Sequence, residues 1–336
     1  MMVQRLLLWC GAAGIVGAGL ACGRSEDLAK PQEGVPVPSA VAKAEPGPFT
    51  RIPSPKRIVA IGDLHGDLRA TREALRLGGA VDGKDHWAGG DLMVVQTGDQ
   101  LDRGDDDRAV VDLFDRLAEE AKAAGGAVLA LNGNHEVMNL ELDLRNVSEG
   151  GLRAFAGANV ANLSDPRVLK MPEASRSRAA ALLPGGPYAK KLAKRGIVAL
   201  VGGTLFVHGG VSPKHVRYGL DRLNREVAAW MNGESPAAPK LVTSEDGPTW
   251  LRRYSAAPDA EDCRVLDEAL GLVQAGRMVV GHTVQREGIT SGCGQTVWRI
   301  DTGMSVAYGG KTEVLQIEGD RVTVLRAEAA TPVASR

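Results

Sequence analysis

Apolar and polar positions fall into short blocks along this chain, and three apolar runs end in the same manner. Ile58 to Gly62 (IVAIG), Leu92 to Gly98 (LMVVQTG) and Ala127 to Gly133 (AVLALNG) each lead straight into a polar cluster. The clusters read Gly62-Asp63-Leu64-His65-Gly66-Asp67, Gly98-Asp99-Gln100-Leu101-Asp102-Arg103-Gly104 and Asn132-Gly133-Asn134-His135-Glu136. Short apolar, β-branched runs ending in Gly-Asp or Gly-Asn read as buried strands with ligand-bearing turns at their C-terminal ends. The pattern predicts strands over 57–62, 91–97 and 126–132, alternating with helices over 67–77 and 105–124. The second helix rests on the spacing of Val110, Val111, Phe114, Leu117 and Ala118, and Gly125-Gly126 stops it. Such alternation implies right-handed crossovers and a parallel core.

Farther on, the runs 196–201 and 204–208 flank Gly202-Gly203 and read as a hairpin. The run Arg277 to Val280 ends in Gly281-His282-Thr283 and reads as another strand, after helices over 220–231 and 261–275. The last third predicts strands at 296–301, 312–317 and 321–326, with a tight turn at Glu318-Gly319-Asp320. The fold class is α/β: a central mixed sheet core flanked by helices.

Both ends break the pattern. Arg5 precedes the apolar run Leu6 to Ala21, which reads as a secretory signal, too short and Gly-rich for a permanent span. Gly19-Leu20-Ala21-Cys22 resembles a bacterial lipobox, so lipidation of Cys22 is the preferred reading and simple cleavage after Ala21 the alternative. Residues 23–56, with seven prolines from Pro31 to Pro55, read as a disordered linker. The folded domain then spans 57–327, and 328–336 form a tail. These features predict export, to the periplasm or as a membrane-anchored lipoprotein, with membrane contact only through the lipid.

Residues 140–195 interrupt the sheet pattern and carry Arg153, Arg167, Lys170, Arg176, Arg178, Lys190, Lys191, Lys194 and Arg195 against few acids. They read as a helical cap insert with solvated cations; a sharper reading has the cap steering an anionic substrate. The length of 336 residues permits one large domain or two small ones, and a net charge of −1 gives no indication of nucleic-acid binding. The sequence carries no signal for an oligomeric state. Of four cysteines, Cys10 lies in the signal and Cys22 beside its end, which leaves Cys263 and Cys293 to form a disulfide in an oxidising compartment.

Four of the six histidines, His65, His135, His208 and His282, follow an apolar run beside a glycine, unlike His86 and His215. With Asp63, Asp99 and Asn134 they supply carboxylate, amide and imidazole donors at adjacent strand ends, the outline of a two-metal hydrolase. Mixed N and O donors without a nearby Cys suit Mn, Fe or Zn.

Taken in order, GDLHGD, GDQLDRGD, GNHE, FVHGGVSP and VGHT resemble the calcineurin-like metallophosphoesterases. Asp102-Arg103-Gly104 and His208-Gly209-Gly210 narrow the resemblance to the phosphoprotein phosphatase branch. GNHEVMNLELDLR, GPTWLRRYS and WRIDTGM are similar to the Shewanella-like phosphatases within it, with one departure: Leu142 stands before Asp143 where that subgroup usually has Gly. The resemblance implies the calcineurin-like β-sandwich and a ligand set. Asp63 and His65 hold one ion, Asn134, His208 and His282 the other, and Asp99 bridges them.

The implied activity is phosphomonoester hydrolysis by direct attack of a metal-bridging hydroxide, with phosphorylated protein (Ser/Thr or Tyr) as substrate. Arg103 grips the phosphoryl oxygens, Arg252 or Arg253 adds a second grip, His135 protonates the leaving oxygen and Asp102 orients it. No Cys or Ser stands in a nucleophile context, so no phosphoenzyme is expected. A second reading is a hydrolase of small phosphate esters, such as a dinucleoside polyphosphate or nucleotide. A third, of another class, is a non-catalytic surface lipoprotein that kept the fold; the complete ligand set argues against it.

Overall fold

A computed structural model describes residues 51–158 and 161–327. The signal segment, Cys22, most of the expected linker and the tail lie outside these residues. Among the described residues, no helix is long and apolar enough to cross a membrane.

Two sheets form the centre. The first orders its strands β11-β10-β2-β3-β4, from β2 (Ile58–Ile61), β3 (Met93–Gln96), β4 (Ala127–Ala130), β10 (Glu313–Glu318) and β11 (Arg321–Arg326). Its β2, β3 and β4 run parallel, joined through α1 (Leu68–Leu77) and α2 (Asp107–Ala123), and β10 pairs antiparallel with β2. The second orders β1-β5-β6-β7-β9-β8, from β1 (Arg51–Ile52), β5 (Val198–Val201), β6 (Thr204–Val207), β7 (Arg277–Val280), β8 (Thr290–Gly292) and β9 (Val297–Arg299).

Period-two alternation decides which side chains face which layer. Ile58, Ala60, Met93 and Val95 meet Ala199, Val201, Phe206 and Val279 between the sheets. Val59, Ile61 and Val94 face outward beneath α1 and α2. Val198, Leu200, Leu205, Val207, Met278 and Val280 face outward on the other side, beneath α11 (Ala260–Val273). Strands covered on both faces read as continuous apolar runs, which is why the parallel strands stood out in the sequence.

Between β4 and β5 the chain makes the cap: α3 (Asn134–Leu140), α4 (Glu149–Arg153), α5 (Pro166–Leu169), α6 (Arg176–Leu182) and α7 (Pro187–Leu192). It has its own apolar cluster, which α9 (Leu220–Met231) completes through Leu223, Val227 and Trp230. α8 (Pro213–Tyr218) and α10 (Lys240–Thr243) complete the element order. α3 ends in a Schellman turn: the N–H of Asp143 donates to Met138 O at 2.9 Å and that of Leu142 to Asn139 O at 3.0 Å. Leu142 takes the left-handed position of that turn at φ +62°, where a glycine would be unstrained.

Three expectations need correction. The linker does not reach residue 56 as irregular chain, because Arg51–Ile52 pairs parallel with Leu200–Val201 as an edge strand. An edge position tolerates the prolines that follow, since one side of the strand needs no donors. The strand expected over 296–301 is only Val297–Arg299; β8, not foreseen, pairs with it. The cap cations are not all solvated. Arg178 is wholly buried and Arg195 nearly so, the latter 2.7 Å from Asp115, while Lys191 lies 3.0 Å from Asp115 and Arg167 2.8 Å from Asp165. Paired charges of this kind project little field toward a substrate. Cys263, early in α11, is joined to Cys293, just after β8, by a disulfide.

Candidate active site and metal centre

The polar clusters at the ends of β2, β3, β4, β6 and β7 converge at one end of the sandwich. Asp63, His65, Asp99 and Asn134 come from the first sheet, His208 and His282 from the second, and all six are buried. Sharp turns aim them. His65 (φ +45°), Asp99 (φ +56°), Asp102 (φ +73°), Arg103 (φ +68°) and His282 (φ +69°) all have left-handed backbones, which L residues adopt at a cost. Strain gathered at one spot marks a place where geometry matters more than comfort. Two glycines make room: a Cβ at Gly133 would collide with the Asp99 carboxylate, and one at Gly281 with that of Asp63.

Asp99 lies at the middle. Its Oδ2 is 3.2 Å from His208 Nε2 and 3.8 Å from both His65 Nε2 and His135 Nε2. His65 Nε2 is 3.9 Å from Asp63 Oδ2. On the other side, His208 Nε2 lies 3.0 Å from Asn134 Oδ1 and 3.2 Å from His282 Nδ1. Two groups of donors, His65-Asp99-His135 and Asp99-His208-His282, thus share Asp99.

The far side of each imidazole fixes its tautomer. His208 Nδ1 lies 3.0 Å from Thr97 O, His282 Nε2 3.1 Å from Trp250 O and His65 Nδ1 3.2 Å from Leu101 O. A carbonyl only accepts, so each of these nitrogens carries a proton, and the opposite nitrogen is the one turned inward as a ligand atom. The inward nitrogens of His208 and His282 then face each other at 3.2 Å. Burial holds His65 neutral, its pKa pushed down to about 4, and burial together with the neighbouring His208 also depresses His282. Lone pairs in that arrangement are satisfied by a cation. The donor set therefore fits divalent metal ions, with Asp99 common to both groups of donors.

His135 differs. Its Nδ1 lies 2.6 Å from Asp102 Oδ2. Burial would lower its pKa, but the Asp99 charge and the Asp102 hydrogen bond raise it to about 9. A protonated imidazole is no metal ligand, so Asp63 completes the first ion's set better than His135 does. Burial and the charges of Asp301 and Asp99 raise the Asp63 pKa. For Asp99, burial raises the pKa, but neighbouring positive charge, that of His135 among it, outweighs burial and keeps it ionised.

The arginines separate. Arg103 is exposed on its turn, its backbone N–H held by Asn146 O at 3.0 Å. Its charge reaches Tyr308, whose ring packs on His65 at 5.1 Å. Arg252 Nη1 donates to His282 O at 3.0 Å and Thr283 Oγ1 at 2.9 Å, beside the centre. Arg253 instead pairs with Asp262 on α11 at 3.0 Å. Of the two arginines expected near the substrate, Arg252 lies beside the metal-ligand cluster and Arg253 against α11.

Several members of the site had no assigned part in the sequence reading. Glu136 accepts from the backbone N–H groups of Asp99 (2.9 Å), Gln100 (2.9 Å), Leu101 (3.2 Å) and Gly133 (2.6 Å), which locks the β3 and β4 turns together. Asp301 follows β9 and stands against Asp63, its pKa raised by burial to about 6. Arg178 reaches in from α6 to Asp102 at 2.8 Å. Glu136 and Asp301 sit inside the quoted motifs, a signal that could have found them; nothing local marks Arg178.

Residues 56–286 match the sequence profile of the calcineurin-like phosphoesterases. The chain belongs to that family. Among known proteins it is similar to Shewanella-like protein phosphatase 2 of Arabidopsis thaliana, 41% identical over 302 residues, covering 81% of this chain and 77% of that one. Shewanella-like protein phosphatase 1 of Plasmodium berghei is 27% identical over 284 residues, 80% of this chain and 74% of that one. A solved structure of a cold-active protein tyrosine phosphatase superposes with a TM-score of 0.67 at 26% identity, covering 82% of this chain and 77% of its own.

Proposed function

We propose that this chain is a metal-dependent phosphatase that removes phosphate from phosphorylated protein. One observation carries the reading: the inward nitrogens of His208 and His282 face each other at 3.2 Å beside the Asp99 carboxylate. Asp63, His65 and Asp99 would hold one divalent ion, and Asp99, Asn134, His208 and His282 the other, with Mn, Fe or Zn matching the donors. When bound, such a pair supplies an activated water and neutralises the phosphoryl oxygens.

The chain's own residues do the rest. Arg103 and Arg252 present guanidinium groups to the phosphoryl oxygens and hold the ester in register. His135 carries a proton on Nε2 toward the leaving oxygen, and the Asp102 carboxylate fixes the ring through Nδ1. The left-handed turns keep these groups in place before substrate arrives, so little reorganisation is needed.

Phosphorylated protein is favoured over a dinucleotide because two similar proteins are described as protein phosphatases, and a solved neighbour as one for tyrosine. The test removes metal from the protein, restores Mn²⁺, and compares phosphoserine, phosphothreonine and phosphotyrosine peptides with dinucleoside tetraphosphate. Metal-dependent release from a peptide is expected, with phosphotyrosine preferred. Turnover of the dinucleotide alone, or two bound ions with no turnover, overturns the reading.

Export through residues 1–22 and a lipid on Cys22 belong to the same proposal. Labelled palmitate should enter the wild-type chain and be absent from Cys22→Ala; equal labelling of both removes the anchor.

A further inference from the structure

The cap contributes one fully buried charge to the site, Arg178 on α6. It lies in a segment whose other cations serve the surface or its ion pairs, yet its guanidinium is directed under the turn that carries Asp102. Nη2 donates to Asp102 Oδ1 at 2.8 Å, Nε to Asn139 Oδ1 at 2.8 Å and Nη1 to Gly151 O at 2.9 Å and to Asp107 Oδ2. The ring of Phe155 lies 5.2 Å from the guanidinium carbon.

These bonds close two rings around Asp102. In the first, Asp102 N–H donates to Asp107 Oδ1 at 2.9 Å, and Asp107 Oδ2 accepts from Arg178, which also holds the Asp102 side chain. One guanidinium thus grips both the carboxylate and the left-handed backbone of the same residue. In the second, Asn139 Nδ2 donates to Asp102 Oδ1 at 2.8 Å and to His135 O at 2.8 Å, while its own oxygen accepts from Arg178 Nε. Asp102 Oδ1 is occupied from two sides. Only Oδ2 remains for His135, which it meets at 2.6 Å.

We propose that Arg178 is a positioning residue for leaving-group protonation: the cap reaches through it to fix the Asp102 carboxylate, and thereby the face that His135 turns to the substrate. The proposal rests on the general-acid role given to His135 above. Without the guanidinium, Asp102 and Asp107 would be two buried carboxylates with no cation between them. They would share a proton or turn apart, and Oδ2 would lose its fixed direction. A planar fork suits this task because it meets two carboxylates and an amide at set angles; a lysine keeps the charge but not the angles.

The alternative is that Arg178 only neutralises acids in the cap core. Leaving-group dependence separates the two, since an ester with a good leaving group needs little protonation. In full-length, metal-loaded protein, Arg178→Lys should lower kcat on phenyl phosphate by ~10-fold or more and on 2,4-dinitrophenyl phosphate by less than ~3-fold, with metal content unchanged. In a His135→Ala background the same change should cost less than ~2-fold on phenyl phosphate, because the two residues act as a unit.

An equal loss on both esters, a full loss retained in the His135→Ala background, or loss of metal overturns the inference. Should Arg178→Lys not fold, Asp107→Asn loosens the clasp on the Asp102 backbone with Arg178 in place and carries the same expectation. A wild-type protein inert on every aryl phosphate would instead overturn the phosphatase reading. A His135→Ala protein without leaving-group selectivity would overturn the role of His135.

Discussion

His208 Nδ1–H donates to the carbonyl of Thr97 across 3.0 Å, a bond from the end of β6 to the end of β3 and so from one sheet to the other. The same ring offers Nε2 to Asn134, Asp99 and His282. Metal and fold are coupled at this residue. Removing metal should lower the melting temperature by ~5 °C or more, because an ion at a hundredfold excess over its dissociation constant stabilises by about 2.7 kcal/mol. Mn²⁺ should restore it. His208→Ala should bind one ion instead of two by elemental analysis and show a smaller metal-induced shift.

His135→Ala should keep both ions and lose roughly 10²–10⁴ in kcat on a phosphopeptide, as expected for loss of a general acid. Elemental analysis beside steady-state kinetics checks this. Loss of metal in the variant would move His135 into the ligand set and remove its catalytic role.

Arg252 and Arg253 should part company. Arg252→Ala removes a guanidinium beside His282 and should cost about 1.5–3 kcal/mol in kcat/KM, the value of a hydrogen bond to a charged group. Arg253→Ala breaks a partly exposed pair with Asp262 and should change kcat/KM by less than ~3-fold and stability by about 0–1 kcal/mol.

The Cys263–Cys293 disulfide closes a loop with a sequence separation of 30. Chain entropy puts its contribution at roughly 3–4 kcal/mol. The paired Cys263→Ser, Cys293→Ser variant should unfold at correspondingly lower urea. Mass spectrometry without reductant should find no free thiol in the wild-type domain.

Asp107 gives a pH dependence with a definite sign. Burial raises its pKa to about 6, Arg178 pulling against that and Asp102 adding to it. The folded value lies above the unfolded one, so its stabilising contribution is full below about pH 4 and is lost as pH rises through about 6. Asp107→Asn cannot titrate. The stability of wild type relative to that variant should therefore fall by on the order of 2 kcal/mol between these limits, measured by urea melts. A flat difference would mean that Asp107 titrates alike in the folded and unfolded chain.

The ligand-bearing turns were legible because each follows a strand covered on both faces, so an unbroken apolar run leads straight to Asp63, Asp99 or His208. Local sequence also marked the hairpin at Gly202-Gly203 and the turn at Gly319. What stayed hidden was set by distant partners. Arg178 reads as a surface cation on a short helix, and only the folded cap brings it to Asp102. Arg51–Ile52 reads as linker because its strand partner lies far away in β5. Trp250-Leu251-Arg252-Arg253 could not be resolved, since which arginine faces the site depends on where Asp262 falls. Leu142 was noticed as a departure, but its place in a left-handed turn is a matter of backbone angle.

The two halves of the ligand set are also separated along the chain. Asp63, His65, Asp99 and Asn134 come from the first sheet, whereas His208 follows 74 residues beyond Asn134 and His282 a further 74. The first sheet alone carries the proposed donors of one ion and only part of the other's. On the proposed ligand set, the second ion's site is complete only once the second sheet has closed on the first. On that reading the two-ion centre belongs to the finished fold and to neither sheet alone.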